Sequence, residues 1–127
     1  MMNAPNIMVV DDDRSFVEAV STFLKAHGYG VTKALTGRQG VDEARRQRVD
    51  LAVIDVYLPD VDGVEVARAV RRSQPAVPLI MISSDDSDET VRRCTEVGAF
   101  AFLAKPLVPH EFLVRIGELM EHGAATR

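Results

Sequence analysis

The chain of 127 residues contains a single cysteine, Cys94, so it cannot form an internal disulfide bond. It has no run of about 18 or more apolar residues, and no positively charged leader precedes a cleavable apolar segment. We therefore expect a cytoplasmic protein that has no contact with a membrane. The formal net charge of -4 also argues against direct binding of nucleic acid.

Several signatures of enzymes are missing as well. His27, His110 and His122 stand apart from one another, without the spacing of a catalytic triad or a metal site. We assign these histidines to helix surfaces and Cys94 to the core. No glycine-rich loop follows the first apolar run, which argues against a nucleotide-binding domain.

Short apolar runs are present, and they alternate with segments of helical period. A hydrophobic content of 46% is enough for one self-sufficient core, so we expect a single domain over residues 1–127 with an ordered part at about 6–122. The alternation predicts an α/β fold in which helices cover a parallel sheet. The five predicted strands are Ile7–Val10, Val31–Leu35, Leu51–Ile54, Leu79–Ile82 and Ala99–Leu103.

Five helices are predicted between and after these strands. The first begins at a capping Asp13 and ends at Gly28, and the last begins at Pro109. Each has an apolar stripe at helical spacing: Phe16, Val20, Phe23 and Leu24 in the first helix, and Phe112, Leu113, Ile116, Leu119 and Met120 in the last. The second strand, "VTKAL", alternates between apolar and polar residues and is typical of a sheet edge. The fourth helix, within "DDSDETVRRCTEVG", offers only Val91, Cys94 and Val97 to a core. It should therefore be the most loosely held of the five helices.

Polar residues follow four of the predicted strands. Asp11 and Asp12 come after the first strand, Asp55 after the third, Ser83 after the fourth and Lys105 after the fifth. In a doubly wound sheet of order 2-1-3-4-5, ligands bind beyond the carboxyl ends of the strands, between the first and third. The sequence therefore brings the three aspartates to that crevice.

Three carboxylates in one crevice repel one another unless a cation joins them. Mg²⁺ is the natural partner, because it prefers oxygen ligands and is often bound by one or two carboxylates together with a phosphate. Lys105 and Ser83 could hold such a phosphate beside Asp55. A carboxylate can itself act as a nucleophile and form an aspartyl phosphate, so we predict that Asp55 is the nucleophile.

The sequence resembles the receiver domain of bacterial response regulators of two-component systems, whose fold is flavodoxin-like or CheY-like. The resemblance covers essentially the whole chain. It is carried by "MVVDDD", "VIDVYLPDVDG", "LIMISS" and "GAFAFLAKPL", which occur in the order and spacing of that family. This resemblance implies that Asp55 accepts a phosphoryl group from a histidine kinase or a histidine phosphotransfer protein. It implies no enzymatic action beyond the domain's own phosphorylation and dephosphorylation.

The resemblance also implies the remaining parts of the site. Mg²⁺ would bind Asp12, Asp55 and the backbone carbonyl of Tyr57, with Asp11 acting directly or through water. Ser83 and Lys105 would hold the phosphoryl oxygens. The bond between Lys105 and Pro106 is expected to be cis, which costs little only before proline.

The resemblance further implies a conformational switch that responds to phosphorylation. Phe102 matches the family's switch aromatic, which turns inward when Ser83 moves toward the phosphate. The output surface for a downstream effector would be the fourth helix, fifth strand and fifth helix, and a homodimer on phosphorylation is possible. Phe100 and Ala101 are apolar at this edge, so they form either a surface for association or ordinary packing. Arg92 and Arg93 could favour an acidic partner or form a solvated face.

Other interpretations remain open at this point. Asp11, Asp12 and Asp13 could simply cap a helix, and Asp60 and Asp62 look like turn and cap residues and not ligands. A phosphohydrolase with an aspartyl nucleophile would want a second acid two residues further on, where this chain has Tyr57. The alternative function is a pseudo-receiver, a docking module that works without phosphorylation. Such a module would normally lack an acid or the lysine, and none is missing here.

Overall fold

The computed structural model describes the backbone of residues 4–125 and the side chains of residues 4–120. Strands and helices alternate along this range as the sequence predicts. The strands are β1 (Asn6–Val10), β2 (Gly30–Ala34), β3 (Leu51–Asp55), β4 (Leu79–Ser83) and β5 (Ala101–Ala104). The helices are α1 (Arg14–Ala26), α2 (Gly37–Arg46), α3 (Gly63–Ser73), α4 (Asp88–Glu96) and α5 (Pro109–Ala125).

All strand pairs are parallel, in the order β2-β1-β3-β4-β5. This confirms the predicted doubly wound α/β fold and the position of β2 at a sheet edge. Every residue of β3 and β4 is buried, as expected for strands that are covered by helices on both faces. None of the helices within residues 4–125 is long and apolar enough to cross a membrane.

The core consists of two apolar clusters, one on each face of the sheet. Residues of α2, α3 and α4 pack against one face, and residues of α1 and α5 pack against the other. Leu24 of α1 and Phe112 and Ile116 of α5 are almost completely buried, which confirms the predicted apolar stripes of these helices. Burial of each such side chain contributes about 1.5–3 kcal/mol.

The predicted helix ends are confirmed where the sequence indicated them. Asp13 caps α1 and accepts a hydrogen bond from the backbone N–H of Phe16 at 3.2 Å. Gly28 follows the end of α1 with φ of 90°, a conformation that favours glycine. Asp62 caps α3. Asp60 caps a helix that is distant in the sequence. Its carboxylate accepts hydrogen bonds from the backbone N–H groups of residues 37 and 38, at the start of α2.

All five strands differ slightly from the predicted bounds. β1 begins one residue earlier, at Asn6, and β3 and β4 each end one residue later, so Asp55 and Ser83 are the last residues of their strands and do not follow them. β5 begins at Ala101 and not at Ala99, because the N–H of Ala99 donates to the carbonyl of Cys94 at the end of α4. Phe100 therefore lies before the strand, and its side chain is 50% exposed. β2 begins at Gly30 and ends before Leu35, whose N–H donates to the side chain of Gln39 and not to a neighbouring strand.

The fourth helix, α4, has few apolar contacts, as its sequence indicates. Cys94 is buried, while Val91 and Val97 are only half-buried. Polar contacts add to this packing. Arg93 forms an ion pair with Asp62 at 2.6 Å, so it is not simply part of a solvated face.

The two histidines whose side chains the structure describes, His27 and His110, are exposed. His27 lies at the C-terminal end of α1, where Nδ1 is 2.9 Å from the carbonyl oxygen of Phe23. His110 is exposed in the first turn of α5. The side chain of His122 lies outside the described residues.

Candidate functional site

The polar residues predicted at the strand ends do meet at one edge of the sheet. The register aligns Val10 with Ile54 and Ser83 with Ala104, so the loops after these strands begin side by side. The carboxylates of Asp11, Asp12 and Asp55 each place one oxygen within 4.8 Å of the others. The parallel sheet therefore brings these side chains together by its register alone.

The three aspartates differ in exposure. Asp11 is 1% exposed and Asp55 is 7% exposed, whereas Asp12 is exposed to solvent. Two buried carboxylates and one exposed carboxylate provide only oxygen ligands, in a crevice that remains open on the side of Asp12. This donor set fits a hard divalent cation such as Mg²⁺, which binds oxygen and usually keeps several waters. These three carboxylates are among the four ligands predicted from the sequence.

Lys105 provides positive charge within this crevice. Its Nζ lies 2.5 Å from Oδ2 of Asp11 and 3.5 Å from Oδ2 of Asp55. Burial alone lowers the pKa of the Lys105 amine, but the hydrogen bond with Asp11 and the two carboxylate charges outweigh burial and raise it. Lys105 is therefore held as a cation, ready to contact an anion at the site.

The ring of Phe16 packs against the Lys105 ammonium. The ammonium lies 4.5 Å from the centre of this ring, a geometry that favours a cation–π interaction. Phe16 lies in the first turn of α1 and was predicted only as part of that helix's apolar stripe. A sequence pattern cannot easily indicate this contact, because 89 positions separate an aromatic residue and a lysine that meet only in the folded sheet.

The negative charge of the Asp55 carboxylate is only partly neutralised by its neighbours. Burial raises its pKa above the ordinary value, and the negative charge of Asp11 raises it further. Lys105 and the backbone N–H of Tyr57, which is 3.3 Å from Oδ1, act in the opposite direction without cancelling the effect. A further cation near these oxygens would relieve the imbalance.

Ser83 and Lys105 flank the same edge. The side chain of Ser83 is buried, and its Oγ accepts the backbone N–H of Asp85 at 3.0 Å. The backbone N–H of Lys105 donates to the carbonyl of Ser83 at 2.9 Å, which ties the ends of β4 and β5 together. The peptide bond between Lys105 and Pro106 is cis.

Phe102 lies within β5. Its side chain is partly buried and packs against the apolar cluster that also contains Cys94 and Met81. Tyr57, by contrast, is 48% exposed on the loop after β3, where its backbone N–H contacts Asp55.

One further residue was not singled out from the sequence. Thr90 in α4 is 1% exposed, and its hydroxyl contacts side chains from two loops of the site. A signal for it does exist, since Thr90, Cys94 and Val97 follow the i, i+4, i+7 spacing of a helix face that packs on a core. A threonine on that face is a buried polar group and must find hydrogen-bond partners.

Comparison with known proteins agrees with this geometry. The sequence model of the response regulator receiver domain matches residues 7–117. The chain is 32% identical over 120 residues to the probable transcriptional regulatory protein TcrX of Mycobacterium tuberculosis. The matched region covers 94% of this chain and 51% of TcrX.

Solved structures of the same fold are also similar. The receiver domain protein (CheY-like) of Methanospirillum hungatei JF-1 has a TM-score of 0.93 and 27% identity, over 98% of this chain and 99% of that one. The chemotaxis protein CheY4 of Vibrio cholerae has a TM-score of 0.86 and 30% identity, over 91% of this chain and 98% of that one.

The chain belongs to the response regulator receiver domain family of two-component signalling systems. This confirms the resemblance that was drawn from the four sequence segments. The chain spans about half the length of curated relatives such as TcrX and the alkaline phosphatase synthesis regulator PhoP of Bacillus subtilis. A receiver domain is a signalling domain and is generally not a catalytic enzyme.

Proposed function

We propose that Asp55 accepts a phosphoryl group from a histidine kinase or a histidine phosphotransfer protein, in a reaction that requires Mg²⁺. One observation carries this proposal: the nearly buried Asp55 carboxylate shares a crevice with two other acids and with the Lys105 ammonium. Such a crevice offers a nucleophile, oxygen ligands for a cation and a charge for a transferred anion. These are the requirements of phosphoryl transfer, where positioning and charge neutralisation provide most of the catalysis.

Each residue has a part in the proposed reaction. A carboxylate oxygen of Asp55 forms the new bond to phosphorus while the bond from phosphorus to the donor breaks, and the donor keeps that electron pair. Asp11, Asp12, Asp55 and the backbone carbonyl of Tyr57 would hold Mg²⁺. When bound, this ion would neutralise charge on the carboxylates and on the phosphoryl oxygens.

Lys105 and Ser83 then bind the phosphoryl oxygens. The ammonium of Lys105 already lies within 3.5 Å of Asp55, so a small movement away from Asp11 brings it to an anion on Asp55. The hydroxyl of Ser83 can donate a hydrogen bond to such an anion, while its oxygen accepts the N–H of Asp85. Both contacts strengthen as charge moves onto the phosphoryl group.

Phosphorylation has its effect on the α4-β5-α5 surface in this proposal. Phe102 packs further inward when Ser83 moves toward the phosphoryl group, and burial alone drives this movement because phenylalanine has no hydroxyl. A downstream effector, or a second phosphorylated copy of the chain, binds the altered surface. Phe100 and Val114, which are 50% and 43% exposed, offer apolar area for this contact. The proposal includes a cytoplasmic location.

Intact mass spectrometry after incubation with acetyl phosphate tests the proposal. The wild-type chain should gain one phosphoryl group with Mg²⁺ and none with a chelator, and Asp55→Asn should gain none. Asp42→Asn is the matched control, because Asp42 is an exposed carboxylate on α2 whose ion pair with Arg45 is long, at 4.0 Å. A short-lived adduct is covered by repeating the incubation with a phosphorylated histidine phosphotransfer protein. Failure of the wild-type chain with both donors refutes the proposal and favours a docking module that works without phosphorylation.

A further inference from the structure

Two chains of hydrogen bonds lead from the site to α4, and both end at one hydroxyl group. The first passes through Tyr57. Its backbone N–H contacts Oδ1 of Asp55 at 3.3 Å, and its phenol oxygen lies 2.6 Å from Oγ1 of Thr90. A single residue therefore contacts both the proposed phosphoryl acceptor and α4.

The second chain passes through Asp85. The backbone N–H of Asp85 donates to Oγ of Ser83 at 3.0 Å, and its Oδ2 accepts the hydroxyl of Thr90 at 2.9 Å. Hydrogen bonds to its carboxylate, first from the N–H and the hydroxyl of Ser87 and then from Thr90, hold the pKa of Asp85 below its ordinary value. Asp85 is therefore ionised, and an ionised carboxylate can only accept hydrogen bonds.

The direction of every bond at Thr90 follows from this. Threonine has one hydroxyl hydrogen, and the Asp85 carboxylate takes it. The phenol of Tyr57 must then donate to Thr90, and the oxygen of the Ser87 hydroxyl lies 3.3 Å from the same Thr90 oxygen. The Thr90 hydroxyl thus gives one hydrogen bond, to Asp85, and accepts one from Tyr57. A buried group with this many partners is well fixed in position.

The two ends of α4 are held by different contacts. At the C-terminal end, the guanidinium of Arg71 donates from Nη1 to the carbonyls of Val97 and Gly98, at 3.2 and 3.3 Å, and from Nη2 to the carbonyl of Val77. At the N-terminal end, Thr90 is the buried residue. Arg71 belongs to α3, and its hydrogen bonds within the described residues go to carbonyls at the end of α4 and before β4, not to residues of the site.

We propose that Thr90 couples the site to α4. Its hydroxyl holds the N-terminal end of the helix through Tyr57 and Asp85, and a change at Asp55 or Ser83 weakens that hold, while Arg71 keeps the other end fixed. This inference rests on the proposed function, since a phosphoryl group on Asp55 alters the oxygen that Tyr57 contacts and engages the hydroxyl of Ser83. The helix then moves at one end only.

The first experiment concerns the unphosphorylated protein and needs no phosphoryl donor. Amide hydrogen exchange is measured across residues 88–97 in the wild-type chain and in Thr90→Val, which keeps the shape of the side chain and removes its hydroxyl. We expect exchange at the N-terminal half of α4 to rise about tenfold, from the loss of the two hydrogen bonds to Tyr57 and Asp85, with little change near Arg71. Thr90→Ser keeps the hydroxyl and should restore the wild-type rates.

Thr95→Val is the matched control on the same helix. Thr95 is exposed, and its hydroxyl donates to the carbonyl of Val91 within α4, so the same atoms are changed without breaking a contact to the site. Tyr57→Phe should loosen α4 in the same region as Thr90→Val, and the double variant should add little, because both changes remove one shared bond. Tyr29→Phe controls for the loss of a phenol elsewhere. Equal exchange in Thr90→Val and Thr95→Val overturns the inference.

The second experiment repeats the measurement after acetyl phosphate and Mg²⁺, with the degree of phosphorylation read from the same samples by mass. We expect the wild-type chain to show faster exchange at the N-terminal half of α4, and Thr90→Val to accept phosphoryl normally while changing by less than about twofold. A phosphorylated Thr90→Val that responds as fully as the wild type overturns the coupling alone. A wild-type chain that accepts no phosphoryl group overturns the proposed function instead, while the first experiment still decides whether Thr90 holds α4.

Discussion

Gly63 offers a sharp test of how closely the loop after β3 packs against the acceptor residue. Gly63 is the first residue of α3, and its N–H donates to the carbonyl of Val56 at 2.7 Å. A Cβ atom at this position would lie 1.9 Å from the carbonyl oxygen of Asp55 and 2.7 Å from that of Val56. These neighbours are backbone atoms and cannot rotate away, so Gly63→Ala must displace the end of β3 or the start of α3.

The size of the effect follows from the contact distances. Real Cβ contacts are essentially never shorter than 3.0 Å. The distance of 1.9 Å between the new Cβ atom and the Asp55 carbonyl oxygen must therefore increase to at least that value. Inserting a methylene group into a packed core costs about 1–3 kcal/mol, and a clash with backbone belongs at or above the upper limit. We expect Gly63→Ala to lose about 3 kcal/mol of unfolding free energy or more, and to accept phosphoryl slowly because the Asp55 carbonyl has moved.

Urea unfolding at fixed pH, without Mg²⁺, measures the change in stability. Gly117→Ala is the matched control, because a Cβ atom at Gly117 meets nothing within 4 Å and the residue lies inside α5. Removing glycine from a helix interior should stabilise the chain by about 0.5–1 kcal/mol. The two alanine substitutions are thus expected to act in opposite directions. Wild-type stability in Gly63→Ala would refute the close packing on which this reasoning depends.

Two further predictions concern charge within the crevice. Burial and the charge of Asp11 raise the pKa of Asp55, so its ionised form disfavours the folded state, and stability is lost as pH rises through the folded pKa. Without Mg²⁺, Asp55→Asn should therefore be more stable than the wild type at pH 7, and this difference in stability should vanish below the ordinary carboxyl pKa of 3.8. Urea unfolding measured at several pH values tests this prediction. A difference in stability that does not change with pH contradicts it. Phe16→Leu removes the ring beneath the Lys105 ammonium and should slow phosphoryl uptake roughly two- to fivefold, whereas Phe16→Tyr stays near the wild type. Mass-resolved uptake rates distinguish the two variants, and equal rates would show that the ring does not position Lys105.

The sequence predicts the positions of the strand-end residues well, for a physical reason. In a parallel sheet, the residue after each strand lies at the same edge whatever the details of side-chain packing. Asp11, Asp55, Ser83 and Lys105 could therefore be assigned to one crevice from chain order and strand ends alone. The alternation of strands and helices predicts a parallel sheet, but it does not by itself determine the strand order.

Contacts that depend on loop shape and rotamers could not be predicted in this way. The carboxylate of Asp60 caps α2 across a gap of 22 or 23 positions, and Tyr57 meets Thr90 across 33. Each pairing depends on how a loop crosses the sheet edge and on one side-chain torsion, which hydrophobic periodicity does not encode. The start of β5 was misplaced for a related reason, because the last turn of α4 uses the N–H of Ala99.

The most direct test of the account is to identify the residue that carries the phosphoryl group. The chain is phosphorylated with acetyl phosphate and Mg²⁺, reduced with borohydride to convert an acyl phosphate into an alcohol, and mapped by peptide mass spectrometry. The account predicts conversion of Asp55 and of no other acidic residue, with none in a chelator. Conversion at Asp11 or Asp12, or at exposed acids without preference, would contradict it.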